Sequence, residues 1–148
     1  MERAWQTAAL SDSQMAVGRW TGKTLLDIGC GWGRWTMASA LSGFRSIGLD
    51  VHLDALAAAR RVTNQMGVAT DYVCSEANHL PFLPSSIDVV CSYSVLQHLE
   101  KATVTQVIHE IFRVLKPGGL CLIQLPNSAG LFNLVRQAKR GFRPARPD

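Results

Sequence analysis

Five short apolar runs, "TLLDIG", "SIGLD", "TDYVCS", "IDVVCSYS" and "LCLIQLP", recur along the chain with helix-forming stretches or loops between them. Runs of that length, rich in branched residues, fit strands buried on both faces. Between them, "RWTMASALSGF" reads as a helix stopped near Gly43, and "HLDALAAARRVTNQMG" as one ending at Gly67, with Leu53, Leu56, Ala57 and Met66 as core contacts. From Ala102 to Leu115, the residues Val104, Val107, Ile108, Ile111 and Leu115 form one helical stripe. Pro81 and Pro84 mark "NHLPFLPSS" as a loop, and Lys116-Pro117-Gly118-Gly119 breaks the last helix. Strands alternating with helices need crossover connections, which are right-handed. The fold class is therefore α/β, a doubly wound parallel sheet in three α/β/α layers.

Ligands of such sheets bind beyond the carboxyl ends of the strands, where the strand order reverses. That rule directs attention to Gly29–Gly33, Asp50, Glu76 and the stretch Ser92–His98. The first of these lies in "LLDIGCGWGRW", three glycines at alternate positions directly after a strand. Dinucleotide loops follow G-x-G-x-x-G, but here Arg34 stands where the third glycine is needed. The phosphate loop ending in Gly-Lys-Ser/Thr is absent as well. A ligand without phosphates can use such a loop by close approach to its main chain, gripping an amino-acid-like end. Asp27 is placed to bind an ammonium group, directly or through water. Asp50 ends the second strand, where a carboxylate can accept from two ribose hydroxyls or cap the following helix.

The chain's 47% hydrophobic and 18% charged residues suit a globular domain of 148 residues. No apolar stretch is long enough for a membrane helix, and the N-terminus lacks the pattern of a secretory signal. Cys30, Cys74, Cys91 and Cys121 are widely spaced in or beside apolar runs, without a CxxC pair. They read as buried reduced thiols of a cytoplasmic protein, with no metal site. Residues 1–130 carry ten Lys/Arg and ten Asp/Glu, so the net charge of +4 sits in the last eighteen residues. That tail is a solvated helix face or a phosphate-attracting arm, and the body gives no electrostatic reason to expect nucleic acid.

"LLDIGCGWGRW" resembles motif I of the class I S-adenosylmethionine-dependent methyltransferases, and "IGLDV" their second-strand acidic motif. "SEANHLPFLPSSIDVVCSYSVLQHL" and "EIFRVLKPGGLCLIQLPN" are similar to their third- and fourth-strand region and the helix–turn–strand after it. The resemblance runs from Thr24 to Asn127 and implies a Rossmann-like core at 24–127; before it, 1–23 reads as a helical segment with Trp5, Leu10 and Met15 as its apolar surface, and after it 128–148 reads as a basic tail, a truncated continuation of the domain. It implies that Gly29, Cys30, Gly31 and Gly33 line the methionine half of S-adenosyl-L-methionine, with Asp27 supporting its amino group. Asp50 would bind the ribose, Val51 would flank the adenine, and Glu76 with the Ala77 amide would contact that base. Ser92 and Tyr93 would face the reacting methyl, while Pro117, Gly118 and Gly119 are structural. Trp32 and Trp35 either pack locally or present an indole face to the sulfonium.

Methyl transfer is an in-line displacement in which alignment supplies much of the rate, so a base is needed only for an acceptor such as a hydroxyl. His98 is the first candidate for that base and competes with local packing; His79 is the second, and His52 and His109 read as surface residues. "SYSV" replaces the Asn/Asp-Pro-Pro-aromatic signature of enzymes that methylate adenine or glutamine amides. A small molecule or a glycan is the expected acceptor, the tail loosely resembling members found with surface-polysaccharide biosynthesis. The family's sheet has seven strands, and five are readable here. The last two are missing from a fragment, replaced by a second copy or a partner at the sheet edge, or lost together with catalysis. A binding module for the same cofactor, or a nicotinamide- or nucleic-acid-binding protein on this fold, are the other readings.

Overall fold

The computed structural model describes residues 20–125. Of the helical segment expected at 1–23, residues 20–23 form a bend and a turn instead, and the rest of it, like the basic tail, lies outside the described residues. The elements are β1 (Thr24–Ile28), α1 (Arg34–Leu41), β2 (Arg45–Asp50), α2 (Leu53–Gln65), β3 (Thr70–Cys74), β4 (Ile87–Tyr93), α3 (Lys101–Val114) and β5 (Leu115–Gln124). The sheet is parallel throughout, in the order β3-β2-β1-β4-β5. The chain steps outward from β1 to β3, then returns to lay β4 on the other side of β1. The order therefore reverses between β1 and β4, whose carboxyl ends meet with Ile28 opposite Ser92.

One face of the sheet holds the main core. Leu26, Ile28, Ile47, Leu49 and Val90 pack there with Val107, Ile111 and Val114 of α3 and with Leu80 of the loop before β4. The other face is thinner and more polar. Leu56, Ala59 and Tyr72 form its small cluster, and Ser39 and Ser46 share a hydroxyl–hydroxyl bond of 2.7 Å between α1 and β2. Gly48 makes this face possible. A Cβ there would lie 2.8 Å from the Cys30 sulfur, the Thr36 hydroxyl and the Tyr72 ring alike.

Side-chain placement departs from the sequence reading where the helix stripe was read too broadly. On α2, Leu56 is buried, but Leu53, Ala57 and Met66 are exposed, and Ala59 and Thr63 take the inward positions. On α3 the buried set is Val107, Ile111 and Val114, with Ile108 turned outward and Leu115 already in β5. The cysteines are free thiols, but only Cys30 and Cys91 are partly covered. Cys74 and Cys121 are exposed, since β3 and β5 are the outer strands of the described sheet.

The helix breaker after α3 is a bulge inside β5. Leu115 pairs with Ile87 and Leu120 with Val89, so Lys116–Gly119 swing out, with Gly118 at φ 75. Asp88 holds this bulge, accepting from Lys116 Nζ at 2.8 Å and from the Thr24 amide at 2.9 Å.

No helix fills the connection from β3 to β4, residues 75–86, which α3 clamps in place. Arg113 donates to the Phe82 and Leu80 carbonyls, each at 2.8 Å, and to both oxygens of Glu110. Glu110 in turn accepts the Leu80 amide at 2.7 Å. Its bond to Arg113 is the main reason that the Glu110 carboxyl falls from the ordinary 4.5 to about 2. A depressed carboxyl stabilises the fold above its unfolded pKa and loses that contribution as pH falls through the folded one. Between pH 4.5 and about 2 the native chain should therefore lose stability that a Glu110→Gln variant lacks from the start. Acid titrations of the two followed by circular dichroism check this, and parallel curves would refute it.

Candidate functional site

The loop from β1 to α1 lies at the reversal of strand order. Its conformation depends on glycine at three alternate positions, Gly29, Gly31 and Gly33, with φ of 71, 50 and 75. An L side chain is strained there, and each position has its own surroundings. A Cβ on Gly29 would collide with Val95, and one on Gly33 would lie 2.5 Å from the Tyr72 hydroxyl. At Gly31 it would meet nothing within 4 Å, so the chain is open to an incoming ligand at that residue.

Four of the loop amides are already paired. Those of Gly29 and Cys30 donate to the Leu49 carbonyl at 2.7 and 3.0 Å, and that of Gly33 to the Cys30 carbonyl at 2.9 Å. Gly31 N–H donates to Asp50 Oδ2 at 2.8 Å. The loop is thus stitched to the carboxyl end of β2 before any ligand arrives, a preorganised arrangement.

Asp50 is the centre of the site. Besides Gly31, its carboxylate takes the His52 amide and the His52 Nδ1 on Oδ1, each at 2.9 Å. Burial alone would push its pKa up, but the N–H groups of His52 and Gly31 outweigh it, and the carboxyl sits below its usual value. Asp50 is not the helix cap that the sequence left open: α2 starts at Leu53 with His52 in the cap position.

A carboxylate offers about four lone-pair sites, and three are occupied. A diol donating two bonds must displace one partner, and the 79% exposed His52 ring is the easiest to move. His52→Ala should therefore keep or tighten cofactor affinity, within about twofold of the native chain. Calorimetric titration checks this, and a clear loss would assign the imidazole to the ligand.

Asp27 lies beneath the loop. It is fully buried on β1, where the Thr36 hydroxyl donates to Oδ2 at 2.7 Å. Because Gly33 begins α1 without a side-chain cap, Asp27 supplies the negative charge below the helix N-terminus. Burial raises its pKa from 3.8 to about 6, against the lowering pull of the Thr36 hydroxyl and amide. Burial, and then the charges of Asp27 and Asp50, push the Cys30 thiol up to about 12, so it stays protonated.

The remaining sequence candidates differ in burial and position. Ser92 and Tyr93 end β4 beside β1; the Ser92 hydroxyl is buried without a hydrogen-bond partner. Val51 and Glu76 are exposed at the rim and Ala77 packs partly on the main core. Trp35 leans on Tyr93 with ring centres 5.4 Å apart, while Trp32 is exposed. His98 is exposed on a single 3-10 turn (Leu96–His98), with Gln97 Nε2 3.3 Å from its Nε2. His79 and His109 are exposed as well. Thr36, His52 and Val95 emerge only in three dimensions. An Asp-x-His sequence at the strand end was the only local hint.

The model of a methyltransferase domain matches residues 26–123, which takes in every element from β1 to β5. This chain belongs to the S-adenosylmethionine-dependent methyltransferases. It is 41% identical over 112 residues to the biotin biosynthesis bifunctional protein BioHC of Cellvibrio japonicus, covering 76% of this chain and 21% of that protein. Against the ubiquinone biosynthesis O-methyltransferase of Pseudomonas paraeruginosa it is 36% identical over 108 residues, covering 72% and 45%. The PH0226 protein of Pyrococcus horikoshii superposes with a TM-score of 0.75 at 25% identity, over 93% of this chain and 59% of that one. The methyltransferase chain thus spans less than half the length of these two curated relatives. The residues present fit the family's cofactor on two counts: open space over Gly31, and the unpartnered Ser92 hydroxyl at the end of β4. No helix among the described residues is long and apolar enough to cross a membrane.

Proposed function

We propose that this domain binds S-adenosylmethionine along the carboxyl ends of β2, β1 and β4 and transfers its methyl group to a small-molecule or glycan acceptor. The observation that carries this reading is the Asp50 carboxylate, bonded to Gly31 at the point where the loop is open. Asp50 would accept the ribose hydroxyls, and Gly29, Cys30, Gly31 and Gly33 would border the methionine portion above the buried Asp27. Val51, Glu76 and Ala77 would flank the adenine. When bound, the cofactor supplies an activated methyl on a sulfonium. The chain's own part is to align, with Ser92 and Tyr93 at the receiving end, which can account for about 7–11 kcal/mol of a barrier. His98, on the exposed turn after β4, would serve as base for a hydroxyl acceptor. Free thiols suit a cytoplasmic setting.

Calorimetric titration of the chain with S-adenosylhomocysteine tests the reading, with NAD and an Asp50→Ala variant as controls. Saturable binding that the variant weakens is the expected result. Binding of NAD instead would overturn it. The second reading is a module that holds the cofactor without turnover. It predicts the same titration and no methyl transfer to any acceptor.

A further inference from the structure

Arg34 has no part in the site described so far. It opens α1, and its guanidinium carbon lies 5.3 Å from the ring centre of Trp35 and 5.6 Å from that of Tyr93. Each aromatic face attracts the cation, and together they limit the rotamers of a side chain that is otherwise free to wander. Arg34 is nevertheless exposed, and among the described residues no carboxylate is in ion-pair contact with it. Asp27 feels its charge but is taken by Thr36. A guanidinium held over aromatic rings keeps N–H groups free for a planar anion, which two of them can meet as a bidentate carboxylate contact. The position matters too. Tyr93 closes β4, on the far side of β1 from Asp50, so this arm stands about two strand spacings from the ribose end of the site.

We propose that Arg34, braced on Trp35 and Tyr93, binds a carboxylate of the acceptor and so selects anionic acceptors. The inference rests on the cofactor reading above, because it takes the β4 end as the receiving side. A carboxylate reaching Arg34 has two sources, the acceptor or the methionine portion of the cofactor, and the test separates them.

The Trp35 indole N–H, buried and unpartnered beside Arg34, gives the readout in magnetic resonance spectra of the nitrogen-labelled chain. Benzoate and malonate are titrated into the chain saturated with S-adenosylhomocysteine, with benzamide and malonamide as uncharged counterparts. The carboxylates should shift the Trp35 signal saturably and the amides should not. Arg34→Gln should weaken the carboxylates about tenfold, as expected for one charge-assisted contact, and Arg34→Lys should keep part of the affinity. Equal responses to acid and amide, an unchanged Arg34→Gln variant, or no saturable shift with either carboxylate would overturn the proposal. If Arg34→Gln weakens S-adenosylhomocysteine but not methylthioadenosine, which lacks the carboxylate, the acceptor assignment is likewise overturned. Failure of the native chain to bind S-adenosylhomocysteine is a separate result, and it would refute the cofactor reading itself.

Discussion

Asp50→Asn is expected to lower the affinity for S-adenosylhomocysteine by about a hundredfold, the combined loss of two hydrogen bonds to a charged acceptor. The reason is local. The carboxylate now takes the Gly31 amide on one oxygen and both His52 donors on the other. An amide must turn its NH2 group toward one of these sets, facing a donor with a donor. The loop then loses its tie to β2, or the His52 turn opens, and in either case the acceptor for a ribose diol is halved. Titration of the variant measures the loss, while a thermal melt checks that the sheet survives. An Asn variant that binds as tightly as the native chain would remove Asp50 from the ligand and leave it a purely structural role.

Asp27→Asn should raise stability above about pH 6. A folded pKa of about 6 against 3.8 means that the fold prefers this carboxyl protonated. That stabilisation is complete below pH 3.8 and is lost as pH rises through about 6, beyond which a buried charge opposes folding. A neutral amide removes this dependence. At pH 8 the variant should gain up to about 3 kcal/mol, from about 1.4 kcal/mol per pKa unit, and its advantage should shrink as pH falls to 4. The unmatched amide donors subtract from that gain. In return, the variant should bind S-adenosylhomocysteine more weakly, because the charge beneath the loop is what would attract the ligand's ammonium group. Denaturant titrations across pH check the first part and calorimetry the second. A stability difference independent of pH would discard burial as the source. A more stable but weaker-binding variant would mark Asp27 as a residue kept at a cost to the fold.

The clamp of Glu110 and Arg113 and the brace around Arg34 show what separates a motif from a site. Neither was legible along the chain, since each joins segments whose proximity depends on crossover paths. α3 grips the loop at 75–86, which carries Glu76 and Ala77, through the Leu80 and Phe82 carbonyls. Arg34 was notable in the sequence only for standing where a third glycine was needed. Its meeting with Tyr93 requires β4 to return beside β1.

The order of strands and helices along the chain and the doubly wound class were determined by the sequence. Strand alternation and a glycine loop are local properties, and right-handed crossovers leave few ways to assemble them. The acidic residues at the ends of β1 and β2 were equally readable, because a strand terminus fixes where a side chain must lie. Tertiary structure alone decided what those carboxylates do. It buried Asp27 against Thr36, gave three of four Asp50 lone pairs to Gly31 and His52, and turned Leu53, Met66 and Ile108 outward. The physical reason is that desolvation and hydrogen-bond partnership depend on atoms distant in the chain, whereas periodicity reports only which side of an element is apolar.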